Sequence, residues 1–325
     1  MSHSILLTGA SGYLGGSLLA QLSRTKLPPH QKLYAFVRSQ EQADAVKEYG
    51  AEPLILDLKD EDCVVKTIVD AKISIIYFLI DAVSSDLQIP MIKALGQVKK
   101  QIGQNVHFLH TSGAKMFSVH AGFPTDRPIL DTDSELYEHQ KTLKAPHEIM
   151  AHAMTTNNTI IETAESHGVR SYIFIPCIVF GAVYDINTEG ASWPVCHVSD
   201  TTSLYDKLLQ SILSGDDIGY GKEGYYLASS GIVKWVDIYT AIAKALAKRK
   251  VIDSAEVKKA DDAALKKMAK ALGCPEAMVA VQLGGRCSLT ADRASKIGWK
   301  SRYAPEHVLE TADAEVELIL KHLKE

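Results

Sequence analysis

The chain has 325 residues, of which 46% are hydrophobic and 23% charged, with a formal net charge of -4. This length and apolar fraction are typical of a globular protein with a sizeable core, in one large or two modest domains. Lys and Arg are scattered, so the sequence has no basic surface of the kind that binds nucleic acid. No apolar run approaches the roughly 20 residues needed to cross a bilayer. We therefore expect neither a nucleic-acid nor a membrane partner.

The cysteines bear on compartment and metal binding. Five of them lie far apart in the sequence, without the paired spacing of a metal site. Their odd number argues against a disulfide framework and is typical of a reducing compartment. The N-terminus lacks the pattern of a signal peptide and enters a predicted strand at once. We expect a cytoplasmic protein with no metal site.

The first half of the chain alternates short apolar runs with amphipathic stretches. This pattern predicts buried strands separated by helices, as in an α/β fold with a doubly wound parallel sheet covered on both faces. From about residue 203 the sequence becomes helix-rich, which predicts a smaller C-terminal α-rich lobe, interrupted by a strand at GYYLASSG. The six predicted strands of the first half are SILLTG, KLYAFVR, AEPLILDL, ISIIYFLI, VHFLHTS and RSYIFIP.

A glycine-rich loop follows the first predicted strand. In ILLTGASGYLGGSLLAQL the glycines have the spacing G-x-x-G-x-x-G and precede an amphipathic helix. Such glycines allow a tight turn, close approach of the backbone to a pyrophosphate, and tight packing of the helix on the sheet. The loop predicts a Rossmann-like dinucleotide site. Its expected cofactor contacts are Gly9, Ser11, Gly12, Tyr13, Leu14 and Gly15.

The tip of the second predicted strand bears on the choice of dinucleotide. It ends in AFVRS, with Arg38 where an acidic residue would bind the adenosine ribose 2′-hydroxyl of NAD. A guanidinium pairs instead with the 2′-phosphate of NADP, so Arg38 favours NADP. After the third predicted strand, Asp57 and Leu58 are placed to flank the adenine, although a helix cap and a core contact explain them equally well.

Several further segments follow the glycine loop along the chain. The motifs to compare are TGASGYLG, Arg38, Asp57, HTSGAKMF, Tyr137 with Lys141, IPCIVFG and HVSDTTSLYDKLL. Taken together, they resemble the extended short-chain dehydrogenase/reductases, also called the NAD-dependent epimerase/dehydratase family. The ending of the chain, including ADRASKIGWKS, is similar to that of many fungal members. The resemblance implies a Rossmann domain over 1–180, to which 198–245 returns, and a substrate lobe formed by 181–197 and 246–325. Extended members often dimerise, so it also implies a homodimer.

The same resemblance implies a catalytic set of Ser112, Tyr137 and Lys141. Tyrosine is a poor acid near neutral pH, and a lysine ammonium beside it lowers the pKa of the phenol. Lys141 would also bind the nicotinamide ribose, and Ser112 would orient the carbonyl that receives the hydride. Thr111 is a second candidate hydroxyl, and both hydroxyls are also explained as strand caps. Pro176 and Ile178 are implied contacts of the nicotinamide.

The spacing around Tyr137 leaves two interpretations open. Pro176 lies 39 positions after Tyr137, farther than in related reductases, and IMAHAM stands where their tyrosine and lysine would be. In the first interpretation Tyr137 and Lys141 begin the catalytic helix, and Pro146 breaks it. In the second the pair lies on a preceding surface turn. His147 or His152 then faces the nicotinamide, or no side chain does.

The resemblance implies an NADP(H)-dependent oxidoreductase that reduces a ketone or aldehyde of a small organic metabolite. Two alternatives are a sugar-nucleotide epimerase or dehydratase and a non-catalytic NADP-binding redox sensor similar to the NmrA-like regulators. Only 24 positions separate Pro176 from Asp200, about half the usual number in such reductases. We therefore expect a wide cleft or one that the C-terminal segment completes, with Trp193, Tyr184, Tyr225 and Tyr226 as candidate walls.

Overall fold

The computed structural model of the chain describes residues 2–177, the backbone of 184–185, and residues 190–322. A parallel sheet of seven strands forms its centre, in the order β10-β7-β5-β4-β1-β2-β3, so the predicted α/β doubly wound fold is confirmed. The strands are β1 (Ser4–Leu7), β2 (Leu33–Val37), β3 (Glu52–Ile55), β4 (Ile73–Phe78), β5 (His107–Thr111), β6 (Ile129–Leu130), β7 (Arg170–Pro176), β8 (Tyr184–Asp185), β9 (Ser192–Val195), β10 (Tyr225–Ala228), β11 (Gly231–Lys234), β12 (Lys258–Lys259) and β13 (Leu289–Thr290).

Helices cover both faces of this sheet. Two short 3₁₀ turns follow β5 at 114–117 and 119–121, and a third precedes β10 at 221–223. The helices are α1 (Tyr13–Leu22), α2 (Gln40–Lys47), α3 (Glu61–Asp70), α4 (Gln88–Ile102), α5 (Leu136–Thr142), α6 (Glu148–Ser166), α7 (Val198–Ser214), α8 (Trp235–Lys248), α9 (Asp262–Leu272), α10 (Glu276–Leu283), α11 (Asp292–Lys296), α12 (His307–Glu310) and α13 (Ala312–His322).

The apolar pattern of the strands explains the two layers. Successive residues of β1 point to opposite faces, so Leu6 joins one buried cluster while Ile5 and Leu7 join the other. The first cluster lies under α3, α4 and α6, and the second lies under α1, α2 and α7. Because both faces are covered, the central strands are apolar throughout rather than alternating.

The C-terminal segment packs against the carboxyl side of this sheet. α8 lies against α12 and α13, and β11 pairs antiparallel with β9. The buried carboxylate of Asp200, near the start of α7, accepts hydrogen bonds from the backbone N–H groups of Arg302 and Tyr303, both at 3.0 Å. Arg249 at the end of α8 forms an ion pair with Asp313 of α13, at 2.5 Å. These contacts fix α12 and α13 beside the sheet.

Lys115 joins the loop after β5 to the same segment. Its ammonium donates a hydrogen bond to the carbonyl of Gly284 at 2.5 Å and lies 4.1 Å from the ring centroid of Trp193. Burial lowers the pKa of Lys115 to about 7. The Gly284 carbonyl and the indole face of Trp193 attract the charged form of Lys115. This attraction opposes the free-energy cost of removing the ammonium from water.

The pKa of Lys115 predicts a pH dependence of stability. The folded pKa of about 7 lies below the ordinary 10.5, so between these values the unfolded chain binds more protons and stability rises with pH. Relative to Lys115→Met, the free energy of unfolding of the native protein should rise by roughly 2 kcal/mol from pH 7 to pH 9.

Urea unfolding of both proteins at matched pH measures this difference. Burial lowers the pKa of His120 and raises that of Cys287. Both groups are present in the native protein and in the variant, so their own contributions cancel in the difference between the two. A difference that stays flat from pH 7 to 9 would show that Trp193 and Gly284 keep the ammonium charged.

Candidate functional site

The glycine loop lies at the carboxyl edge of the sheet, between β1 and α1. Gly9 has a φ of +68°, a left-handed conformation that glycine adopts without strain. A side chain at Gly15 would lie 2.6 Å from the carbonyl carbon of Gly9, so the helix touches the loop backbone to backbone. The structure therefore provides the tight turn and the helix packing that the glycine spacing predicts.

The start of α1 is open to an anion. Gly12 is the N-cap residue, no side chain caps the helix, and the first turn contains no acidic residue. Ser11, Gly12 and Tyr13 are exposed. The free N–H groups and the positive end of the helix dipole favour a phosphate at this position. These residues, with Leu14 beside them, fit the pyrophosphate of a dinucleotide.

Arg38 follows β2 at the same edge, and β2 is the strand that pairs with β1. Its side chain is exposed, and within the described part of the chain its guanidinium makes no hydrogen bond or ion pair. Ser39 caps α2 by accepting a hydrogen bond from the N–H of Gln42 at 3.2 Å. Asp57 and Leu58 follow β3, the former exposed and the latter half-buried. The structure thus brings these predicted adenosine contacts to one edge.

The two hydroxyls after β5 have different surroundings. Thr111 shares a hydrogen bond of 2.7 Å with the hydroxyl of Tyr205, a fully buried residue of α7. Ser112 lies at the opposite face and contacts the sulfur of Met116 at 3.7 Å. Thr111 is thus committed to Tyr205, whereas Ser112, which is buried, has a weaker partner in the Met116 sulfur.

Tyr137 and Lys141 do not lie with the other predicted site residues. The phenol donates a hydrogen bond of 2.6 Å to Glu162, and Lys141 forms an ion pair with the same carboxylate at 2.6 Å. Glu162 lies about 20 Å along α6 from its start, at 1.5 Å per residue, close to where the chain enters β7. Lys222, in the turn before β10, lies 4.8 Å from the Tyr137 ring centroid. The pair therefore lies toward the amino edge.

This position does not favour the predicted catalytic dyad, which stays a prediction. The glycine loop and Ser112 follow strands at the carboxyl edge of the parallel sheet, whereas the Tyr137 phenol is bound to Glu162 near the end of α6 that leads into β7. Burial, followed by the hydrogen bond to Glu162, raises the pKa of Tyr137, the opposite of what a general acid requires. In the structure Tyr137 and Lys141 join α5 to α6, so Lys141 is also removed from the expected cofactor contacts.

The histidines of the second interpretation lie at the start of α6. His152 is exposed in the second turn of the helix, and the ring of His147 lies 6.0 Å from that of His120. The helix break that Pro146 predicts is present, because α5 ends at Thr142 and α6 begins at Glu148. Ile178, another expected cofactor contact, lies outside the described residues.

An apolar cavity of about 320 Å³ adjoins the glycine loop. The start of α1 and the end of β7 line one side, where Pro176 and Cys177 are buried. The opposite wall comes from residues between Ala304 and Ile319. The C-terminal segment therefore completes the cleft, as expected from the short connection after Pro176. The aliphatic lining side chains are Leu14, Val195, Val198, Ile238, Ile242, Val308, Val316 and Ile319.

The candidate aromatic walls take other positions. Trp193 is buried against Trp235 and Lys115. Tyr225 and Tyr226 point to opposite faces of β10 and belong to the two core clusters. The side chain of Tyr184 is outside the described residues. Residues of the cavity that the sequence did not single out come from α8, α12 and α13, more than 100 positions after the glycine loop.

The polar side chains that line the cavity are Tyr13, His197, Thr201, Ser230, His307, Thr311 and Glu315. His197 accepts a hydrogen bond from the N–H of Ser199 at its Nδ1 atom, at 3.2 Å, and its ring lies 4.3 Å from that of Tyr303. Burial lowers the pKa of His197 and raises those of Cys177 and Cys196, so the imidazole and both thiols are neutral at pH 7. Cys177 is therefore a packing residue rather than a thiolate nucleophile.

Among the described residues, no group of three or more His, Cys, Asp or Glu side chains is arranged to hold a metal ion. Within the same ranges, the helices are too short or too polar to span a bilayer.

Comparisons with known proteins give the fold. No family model and no curated protein matches the chain. It is similar to UDP-glucose 4-epimerase from Thermotoga maritima with UDP-glucose, at 12% identity and TM-score 0.62, over 98% of this chain and 99% of the other. It is also similar to dTDP-glucose 4,6-dehydratase from Bacillus anthracis in complex with NAD, at 12% identity and TM-score 0.63, over 98% of this chain and 97% of the other. A third similar structure is triphenylmethane reductase from Citrobacter sp. complexed with NADP(H), at 15% identity and TM-score 0.58, over 95% of this chain and 99% of the other. At these identities the chain shares the Rossmann-like fold of these enzymes over nearly its whole length.

Proposed function

We propose that this chain is an NADP(H)-dependent oxidoreductase that acts on a ketone or aldehyde. The observation that carries the proposal is the close-packed glycine loop, which presents the uncapped start of α1 beside an apolar cavity. Solved structures of the same fold hold NAD or NADP(H). When bound, the nicotinamide would supply or accept a hydride. The protein's own contribution is to hold the pyrophosphate at α1 and to present a water-poor cavity next to Pro176.

The preference for NADP rests on charge at the tip of β2. Arg38 is exposed and its guanidinium has no partner within the described residues, so it is available to a 2′-phosphate. Ser39, beside it, offers its hydroxyl oxygen to the N–H of Gln42. Asp57, the acidic residue nearest in the chain, follows β3 and accepts a hydrogen bond from the N–H of Lys59 at 3.0 Å. This arrangement supports NADP over NAD.

A second candidate function is a non-catalytic redox sensor that binds the dinucleotide. The observation that favours it is the position of Tyr137 and Lys141, which leaves the carboxyl edge without that acid and its partner. Stoichiometric NADPH mixed with the protein and a panel of uncharged ketones and aldehydes separates the two functions. Oxidation of NADPH supports the enzyme, whereas tight NADPH binding without oxidation of any panel member supports the sensor.

Substitution of Gly15 tests the cofactor site. Gly15→Ala should weaken NADPH binding at least about tenfold, because the methyl group displaces the loop backbone from the helix start. Gly16→Ala is the matched control, since its methyl group would lie 3.3 Å from the carbonyl oxygen of Ala10 and needs a shift of only a few tenths of an ångström. NADPH fluorescence titration, with thermal melting to confirm folding, measures both. Equal affinities in the two variants would contradict the assignment.

Substitution of Arg38 tests the choice of dinucleotide. Arg38→Ala should weaken NADPH binding about tenfold while NADH binding changes less than about twofold, because a charge-assisted hydrogen bond to the 2′-phosphate is lost. Arg24→Ala provides the control, since Arg24 is exposed after the end of α1. The comparison uses dissociation constants for both dinucleotides. A parallel loss for NADPH and NADH, or no loss for either, argues against this role.

Tyr137→Phe tests the predicted dyad, which the contacts with Glu162 do not favour. The rate of carbonyl reduction should stay within about twofold of the native rate, whereas loss of a general acid costs about 10²-fold to 10⁴-fold. Steady-state rates with the panel member that the native protein reduces best give the answer. A loss of a hundredfold or more, with unchanged melting temperature, would return Tyr137 to the catalytic set.

A further inference from the structure

The apolar cavity has a composition that identifies a class of ligand. We propose that it binds an uncharged, largely apolar carbonyl compound of about the size of one or two rings, whose oxygen accepts a hydrogen bond from His197. This inference rests on the proposed function and names the substrate class for the same site. It also separates the reductase from the sugar-nucleotide epimerase or dehydratase.

Charge is the first argument. Among the described residues that line the cavity there is no Lys or Arg, and Glu315 contributes a carboxylate to the wall. A sugar nucleotide carries a diphosphate, which proteins hold with guanidinium or ammonium groups or with free backbone N–H groups. The N–H groups at the start of α1 are the ones assigned to the cofactor. An anionic substrate would therefore enter the cavity without a partner and would face Glu315.

The volume and lining of the cavity also favour an apolar ligand. The cavity volume of about 320 Å³ is at the lower end of the range for small-molecule sites. Its lining is largely apolar, with Leu14, Ile242 of α8, and Val316 and Ile319 of α13 among the aliphatic side chains. Such a lining binds a ligand chiefly by removing apolar surface from water, and a hydroxyl-rich sugar has little apolar surface to bury.

His197 supplies a directed polar contact. Its Nδ1 accepts the Ser199 N–H, so the proton of the neutral ring lies on Nε2. Tyr303 at 4.3 Å and His307 at 5.6 Å flank the ring and hold its plane. Burial lowers the pKa of His197, which keeps the ring neutral at pH 7. A neutral N–H donor can bind a carbonyl oxygen without requiring a charge on the ligand.

A pair of ligands with one skeleton tests the charge argument. Binding of 4-phenylbutan-2-one and of 4-phenyl-2-oxobutanoate to the NADP⁺-saturated protein is measured by calorimetry or ligand-observed NMR, with UDP-glucose as a third ligand. The ketone should bind at least tenfold more tightly than the oxo acid, and UDP-glucose should not compete with it. Equal or tighter binding of the oxo acid or UDP-glucose overturns the inference.

Two neighbouring positions on α13 locate the ligand. Ile319 and Leu318 are neighbours of similar exposure, 46% and 52%, but only Ile319 lines the cavity. Ile319→Trp should weaken ketone binding at least tenfold and leave the NADPH dissociation constant within twofold. Leu318→Trp should change neither. If both variants bind the ketone like the native protein, the ligand lies elsewhere.

The role of His197 has its own readout. His197→Ala should weaken binding of 4-phenylbutan-2-one about fivefold to tenfold, yet leave butylbenzene, which lacks the oxygen, bound as in the native protein. His197→Gln, which restores an N–H donor, should recover part of the loss. An equal loss for both ligands would mean that His197 only shapes the wall.

The two proposals fail in distinguishable ways. If the protein does not bind NADPH but binds the ketone in the cavity, the proposed function fails and the cavity assignment stands. If NADPH binds and no uncharged ketone does, the cavity assignment fails while the dinucleotide site stands.

Discussion

The contact between Gly15 and the backbone of Gly9 is the constraint on which the site depends. It lets α1 begin against the loop after β1, so the free N–H groups of the helix face the carboxyl edge of the sheet. Because the strands are parallel, the same edge also receives Arg38 after β2, Ser112 after β5 and Pro176 at the end of β7. A side chain larger than hydrogen at position 15 would move the helix relative to all of these groups.

A second constraint closes the site from the far end of the chain. Asp200 is buried and accepts hydrogen bonds from the backbone N–H groups of Arg302 and Tyr303. These bonds hold the chain before α12 against the start of α7. Arg249 then fixes α13 to α8 through Asp313. The connection from Pro176 to Asp200 is short, and the wall opposite the glycine loop is built from α12 and α13. The substrate side of this protein is therefore set by polar contacts that lie outside the sheet.

The strands and the glycine loop could be predicted from sequence because each depends on local residues. A buried parallel strand is a continuous apolar run, and a glycine spacing fits one kind of turn. The Tyr137 and Lys141 pair shows the limit. Their spacing of four predicts a shared helix face, which is correct, but not which edge of the sheet that face meets. That is decided by Glu162, which is 25 positions from Tyr137 and binds both side chains.

The cavity could not be predicted for a related reason. In the sequence, Val316 and Ile319 form part of the apolar stripe of an amphipathic helix. The residues of such stripes more often pack in a protein core than contact a ligand. Leu14, which lines the same cavity, is about 300 positions earlier. Only the docking through Asp200 and Asp313 brings these segments together.

The distribution of cations then separates two kinds of recognition within one site. Arg38 and the helix start supply positive potential at the cofactor end of the edge, where phosphates would lie. Lys115, at the boundary with the C-terminal segment, is not part of the cavity lining and is held by the carbonyl of Gly284 and the face of Trp193. The cavity itself is lined by imidazoles, thiols, hydroxyls and aliphatic groups, and by Glu315. An anion gains binding energy only where a partner offsets its loss of water. The cofactor end of the site therefore favours phosphate groups, and the cavity favours an uncharged, apolar ligand.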